Sequence, residues 1–309
     1  MRIWRAPLRI SLFGGGTDLE PYCSECGSTI ISCAVNLYIY LSWNRRPTGG
    51  CHLGYSRVEE LVSLKDAQHT LVNQAAAMDI EEPCTLTIIS DMPKGTGLGS
   101  SSALSVILID MVRKGLAPAE RAQLAAYMEH THSKAGWQDY LPASFGGARI
   151  YRLGEGGVVK DAQLLSRHAE DVIERYGLLL YTGDSRSADS ILPSWQKSDD
   201  QLNDIKSLAD EVAGRIDTLT PEQLGVYLNY TWELKRSIPG VTNPTLNRQY
   251  AVAMANGALG GKLCGAGAGG CWFFLVPPSS VTRAKIKNAL GLREIPFKIS
   301  QKGVESWEL

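Results

Sequence analysis

Apolar and polar residues alternate along residues 3–12, the period of two expected of a β-strand, and the run stops at Gly14-Gly15-Gly16. Residues 28–43 are rich in β-branched and aromatic side chains and predict one or two further strands. Pro47-Thr48-Gly49-Gly50 is a turn. The mixed stretch 58–78 predicts helix, and 85–90 (TLTIIS) a compact strand. A glycine-serine loop spans 93–102. The apolar run 104–112 has no strand punctuation and predicts a buried helix that starts near Ser101. A second helix is expected over 119–132, followed by a loop through 136–149 that leads into a strand.

The composition changes at Gly154-Glu155-Gly156-Gly157, which predicts a turn near a boundary. Beyond it, 177–181 (GLLLY) and 271–276 (CWFFLV) predict buried strands. Helices are expected over 185–213, 221–236, 250–257 and 280–290, with Pro239-Gly240 as a stop, a glycine loop at 263–268 and a short C-terminal strand. Strands come in runs rather than in strict βα alternation, which favours an α+β class. A length of 309 residues suits about two domains; the expected division is 1–165 and 166–309.

Charge narrows the functional classes. Lys plus Arg number 31 against 32 Asp plus Glu, a net charge of -1. That balance argues against a nucleic-acid partner and means that any bound anion is held by local groups. No apolar stretch reaches the ~18 residues of a membrane span. Arg2, Arg5 and Arg9 stand among apolar residues, but Pro7 interrupts them and no cleavage pattern follows, so a cytoplasmic location is the default expectation. Seven cysteines with a single CxxC (Cys23, Cys26) read as buried free thiols rather than as a disulfide framework or a zinc site.

Three glycine-rich segments carry the chemistry. The middle one, Pro93-Lys94-Gly95-Thr96-Gly97-Leu98-Gly99-Ser100-Ser101-Ser102, lies between an expected strand and an expected helix. Glycines let the backbone turn its N–H groups toward an anion, the helix start adds a positive dipole end, and serine hydroxyls can donate to phosphate or ligate Mg2+. This segment is therefore the candidate polyphosphate site. Two rival motifs fail: Gly261-Lys262 is followed by Leu263 where a Walker loop needs Ser or Thr, and the GxGxxG at Gly265–Gly270 leads into a strand where a dinucleotide motif opens a helix.

The ordered trio resembles the GHMP kinase superfamily over nearly the whole chain. Its first motif matches Pro7-Leu8-Arg9-Ile10-Ser11 with Gly14-Gly15-Gly16-Thr17-Asp18, its ATP-phosphate loop 93–103, and its third motif Lys262-Leu263-Cys264-Gly265-Ala266-Gly267-Ala268-Gly269-Gly270. Ala135-Gly136-Trp137-Gln138-Asp139, Tyr181-Thr182-Gly183 with Arg186, and Asn243-Pro244 are similar to D-glycero-D-manno-heptose 7-phosphate kinases. Tyr140 stands where a second Gln is usual in those kinases, and Ala268 where glycine is usual.

The resemblance implies a ribosomal protein S5 domain 2-like N-terminal half, a ferredoxin-like C-terminal half, and ATP with Mg2+ as cofactors. It implies Asp139 as general base and Arg9 beside the transferred phosphate. Pro93, Gly95, Gly97, Leu98, Gly99, Ser100, Ser101 and Ser102 would hold the nucleotide, with Lys94 near its phosphates. Glu129 and Ser101 would hold the metal. Gly16, Thr17, Asp18, Arg186, Gly265, Ala266 and Gly267 would face the substrate. The expected partner is a small sugar or sugar phosphate, taken up by a monomer or a homodimer. The specific expectation is phosphorylation of the anomeric hydroxyl of heptose 7-phosphate to the 1,7-bisphosphate. Alternatives are a kinase for another sugar or cyclitol, fucose- or valiolone-like, and a sugar sensor without turnover.

Overall fold

A computed structural model describes residues 1–131, 135–184 and 198–309. Strand β1 (Arg2–Phe13) runs antiparallel to β2 (Ser28–Arg45), from Arg2 opposite Trp43 to Phe13 opposite Ile31. At 18 residues β2 is long enough to serve two neighbours. Its second half pairs with β5 (Cys84–Ser90), which pairs in parallel with β3 (Cys51–Gly54), itself joined to β4 (Val58–Leu61). Its first half pairs with β6 (Ala148–Leu153), which carries β7 (Val159–Leu164). A second, antiparallel sheet orders β11 (Arg293–Glu294), β8 (Gly177–Tyr181), β10 (Cys271–Leu275) and β9 (Gly260–Leu263). The last strand, β12 (Glu305–Glu308), returns to the first sheet beside β1.

The helices are α1 (Tyr22–Cys26), α2 (Thr70–Ala77), α3 (Ser100–Val112), α4 (Pro118–His130), α5 (Trp137–Phe145), α6 (Arg167–Tyr176), α7 (Asp199–Ala213), α8 (Pro221–Arg236), α9 (Pro244–Ala255) and α10 (Ser280–Leu290). The starts of α7, α8 and α9 are set by the side chains of Ser198, Thr220 and Asn243, each accepting from a first-turn N–H. Helices α3 and α5 pack on β1 and β2. One apolar core runs from the first sheet onto one face of the second, through Leu179 and Phe273. The alternate residues Leu178, Leu180, Trp272 and Phe274 point to a second core that includes Trp232 and Tyr250.

Three expectations are corrected. The stretch 58–78 is strand β4, a short 3-10 turn at Leu64–Asp66 and α2: Val58, Leu61 and Val62 have helical spacing, but the segment pairs antiparallel with β3 instead. The helix expected at 250–257 starts at Pro244, where proline fits the first turn behind the Asn243 cap. The loop expected over 136–149 is mostly helix α5, with Pro142 inside it. Helix α6 and strand β7 were not anticipated either. All seven cysteines are free thiols, and only Cys26 is exposed. No helix among the described residues is long and apolar enough to cross a membrane.

Candidate active site

The loop between β5 and α3 turns through Gly95, Gly97 and Gly99, with φ of 81°, 71° and 77°. Side chains rarely adopt that left-handed conformation, so glycine is required if the loop is to close this tightly. Leu98 is buried and anchors it, and its carbonyl accepts the Arg9 backbone N–H at 3.0 Å. Ser100, Ser101 and Ser102 form the first turn of α3, where backbone N–H groups have no partner inside the helix. Donors and dipole therefore converge on the loop.

The third glycine segment lies against this loop. A Cβ on Gly97 would sit 2.5 Å from the Cys264 carbonyl oxygen, and one on Gly265 would sit 2.7 Å from the Gly97 Cα. Two glycines from the two halves of the chain thus meet backbone to backbone. Ala268 keeps the left-handed conformation of this segment (φ 60°) without being glycine, and its N–H donates to the Val241 carbonyl at 2.7 Å.

Asp139 lies in the first turn of α5. Its Oδ1 pairs with the Arg9 guanidinium, whose other terminal nitrogen donates to the Gly97 carbonyl. The same carboxylate oxygen would lie 3.2 Å from a Cβ on Gly99. A carboxylate, a guanidinium and the phosphate-loop backbone are therefore in mutual contact. Burial raises the Asp139 pKa; the Arg9 charge opposes that rise, Asp18 adds to it, and Lys235 opposes it.

Asp18 orients this helix from outside. Its Oδ1 accepts the Gly16 N–H at 2.7 Å, and its Oδ2 accepts the Gln138 N–H at 2.9 Å. Gln138 Nε2 donates to Oδ1 at 3.3 Å. The helix has no side-chain cap of its own at Gly136, and Asp18 supplies one from across the fold. Thr17 turns inward, bonded to the Gly14 carbonyl and to Ser28. Both Thr17 and Asp18 are buried.

Glu129, in the last turn of α4, is 1% exposed and accepts from Ser105 Oγ at 2.9 Å. Burial raises its pKa; the hydroxyls of Ser101, Ser105 and Ser102 oppose the rise, and the Asp139 charge adds to it. No ion pair satisfies it among the described residues. A buried carboxylate beside hydroxyls is a hard-oxygen set with spare negative charge, which fits Mg2+ completed by nucleotide phosphates. Among the described residues no cluster of three His, Cys, Asp or Glu could hold a metal alone.

Beside Glu129, Ser100 and Ser101 a cavity of about 590 Å3 opens, walled by Ile39, Tyr55, His69, Leu71, Ile88, Met92, Lys94 and Leu104. Sequence reasoning missed it. Apart from Lys94, Ser100 and Ser101, its walls come from separate segments and from residue types that carry no motif. Lys235 was also missed, and Gln138 and Lys262 were seen as parts of motifs but given no role. Lys262 is buried and donates to the Ser11 carbonyl at 2.6 Å, and burial holds its pKa well below the usual lysine range. Tyr140, one of the two departures from the heptose kinase pattern, is fully buried toward Ser102 and Glu129. Arg186 lies outside the described residues.

Comparison with known proteins bears on the family and the fold. Residues 64–147 match the model of the GHMP kinases N terminal domain, and residues 216–292 that of the GHMP kinases C terminal domain. A D-glycero-alpha-D-manno-heptose 7-phosphate kinase of Campylobacter jejuni is 28% identical over 99% of this chain and 98% of its own. An L-fucokinase/L-fucose-1-P guanylyltransferase of Bacteroides fragilis is 24% identical over 98% of this chain but 38% of its own. A crystal structure of a D-glycero-D-manno-heptose 1-phosphate kinase from Bacteroides thetaiotaomicron superposes with a TM-score of 0.81 at 22% identity, covering 100% of this chain and 99% of that one.

Proposed function

The chain belongs to the GHMP kinases, with both of the family's domains, and from that premise we propose that it transfers the γ-phosphoryl group of ATP to the anomeric hydroxyl of D-glycero-D-manno-heptose 7-phosphate. The product would be the 1,7-bisphosphate. The carrying observation is the Asp139–Arg9 pair held against Gly97 and Gly99 of the phosphate loop. The choice of sugar rests on the Campylobacter jejuni relative and its near-complete coverage.

In this reading the nucleoside occupies the cavity beside Ser100 and Ser101, and its triphosphate follows the loop to the start of α3. The acceptor oxygen attacks the γ-phosphorus as its proton passes to Asp139, and the bond from that phosphorus to the β,γ-bridging oxygen breaks, releasing ADP. Arg9 stabilises charge on the transferred group and keeps Asp139 ionised. Glu129 and Ser101 would hold Mg2+, whose charge would neutralise the phosphates. Asp18 with Gly16 and Thr17 shapes the substrate end through the start of α5. Gly265, Ala266 and Gly267 close the site from the other half.

A second reading, an unphosphorylated hexose such as fucose, draws on the Bacteroides fragilis relative. The test is ADP release by the purified protein with MgATP and a panel of heptose 7-phosphate, heptose 1-phosphate, fucose, galactose and mevalonate. Turnover greatest with heptose 7-phosphate is expected. Turnover of fucose without turnover of heptose 7-phosphate overturns the heptose assignment, and binding with no ADP release from any sugar overturns the kinase reading.

A further inference from the structure

The cavity beside Ser100 and Ser101 is walled in part by two short pieces of chain that lie outside the phosphate loop. One is the turn at Tyr55–Arg57 between β3 and β4, and the other is residues 68–71 at the start of α2. Neither is strongly anchored by its own backbone. Strand β4 is the last of its sheet, and β3 meets β5 only through His52–Gly54 opposite Thr85–Thr87. Helix α2 has His69 at its N-cap, and that side chain does not cap it. Glu59, on β4, ties the two pieces together. Its Oε1 accepts from the Tyr55 hydroxyl at 2.8 Å, and its Oε2 accepts the Gln68 N–H at 2.8 Å. The carboxylate thus gives one oxygen to each piece and lies beside a helix start, where negative charge is favoured. The Tyr55 and His69 rings meet across the same seam, edge to face, with 4.9 Å between centroids and 85° between planes. Both rings line the cavity.

We propose that Glu59 is a positioning residue for nucleotide binding: it clasps the β3–β4 turn to the start of α2, so that Tyr55 and His69 stand as a fixed wall against the nucleoside. The inference rests on the reading that places the nucleoside in this cavity. A wall ordered before the ligand arrives does not have to be ordered by it, so losing the clasp weakens binding and leaves the transfer step alone. The effect belongs to the nucleoside. The triphosphate is assigned to the 93–102 loop, whose donors are not among the partners of Glu59.

Glu59→Ala removes the clasp, whereas Glu59→Gln keeps a carbonyl oxygen that can accept from the same donors. Calorimetry and steady-state kinetics with the panel sugar that turns over fastest read the effect. Glu59→Ala is expected to raise the Kd and KM for MgATP about 10-fold, with kcat within about 2-fold of the wild type. Glu59→Gln is expected to recover most of that affinity. Inhibition by magnesium tripolyphosphate, which has the phosphates and no nucleoside, should be the same in all three proteins. An unchanged Kd for MgATP in Glu59→Ala overturns the proposal. So does an equal loss of affinity for MgATP and for tripolyphosphate, the mark of general damage to the site. If the Ala variant fails to fold, Tyr55→Phe decides: it removes one donor and keeps the ring, and MgATP affinity must fall there while tripolyphosphate inhibition is kept. The cavity reading is judged separately by a folded Ile88→Trp, whose indole fills the space and should abolish MgATP binding. Normal binding in that variant overturns the placement of the nucleoside, whatever Glu59 does.

Discussion

At the scale of single residues, the half-buried Asp139 and the fully buried Glu129 carry opposite kinds of risk. Asp139 has a guanidinium against it, whereas among the described residues Glu129 has only hydroxyls. Asp139→Asn removes the proposed proton acceptor and keeps the shape, so kcat should fall by ~10²–10⁴ while calorimetric ATP binding stays nearly intact. Glu129→Gln should also impair turnover but should stabilise the nucleotide-free protein. The Glu129 pKa is raised by burial. Between its unfolded and folded pKa the native state binds more protons, so its contribution favours folding at low pH and is lost as pH rises through the folded value. Urea midpoints should therefore favour Glu129→Gln at pH 8, with the gap closing toward pH 5. A gap that widened on acidification would contradict a raised pKa.

The residues that could be read from sequence are those whose chemistry leaves no substitute. Gly95, Gly97 and Gly99 all take a backbone conformation that suits glycine, so their cluster was visible as letters. Lys235 was not, because a lysine between Leu234 and Arg236 looks like any solvated helix residue until its burial is known. The cavity wall is similar: Tyr55, Ile88 and Leu104 become a surface only after β5, α3 and the segment following β3 have met.

At the scale of elements, α5 carries Asp139, the proposed proton acceptor. Its nine residues contain Pro142 and end at Gly146-Gly147, punctuation that reads as a loop. The helix persists because Trp137, Tyr140 and Leu141 bury themselves in the main core and because Asp18 satisfies its first turn. Asp18→Ala should remove that cap, lower stability by about 1–2 kcal/mol, and reduce kcat because Asp139 loses its fixed bearing. Denaturant unfolding and steady-state kinetics check both parts. If only KM for the sugar rose, with stability unchanged, Asp18 would be a diol ligand rather than an anchor for α5. Strands β1 and β2, by contrast, were legible as strand, β1 from its alternation and β2 from its β-branched and aromatic residues, although whether 28–43 held one strand or two was open.

At the scale of the whole molecule, the two sheets are not separate bodies joined by a tether. A single core reaches from the first sheet to the second, Lys262 on β9 donates to Ser11 on β1, and β12 returns to pair with β1. That return sets residues 1 and 309 side by side, with the Leu309 N–H donating to the Met1 carbonyl at 2.8 Å and the Met1 nitrogen 3.1 Å from the Leu309 carbonyl oxygen. A bridge of two or three glycines should span that gap without bending either strand. The chain could then be opened elsewhere, for instance in the exposed turn at Gly49, where an added side chain would touch nothing. Such a circular permutant should fold and release ADP at rates near those of the original order. Its 93–102 loop, the Arg9–Asp139 pair and the cavity would be intact, although the order in which the three glycine segments are read would begin in the middle.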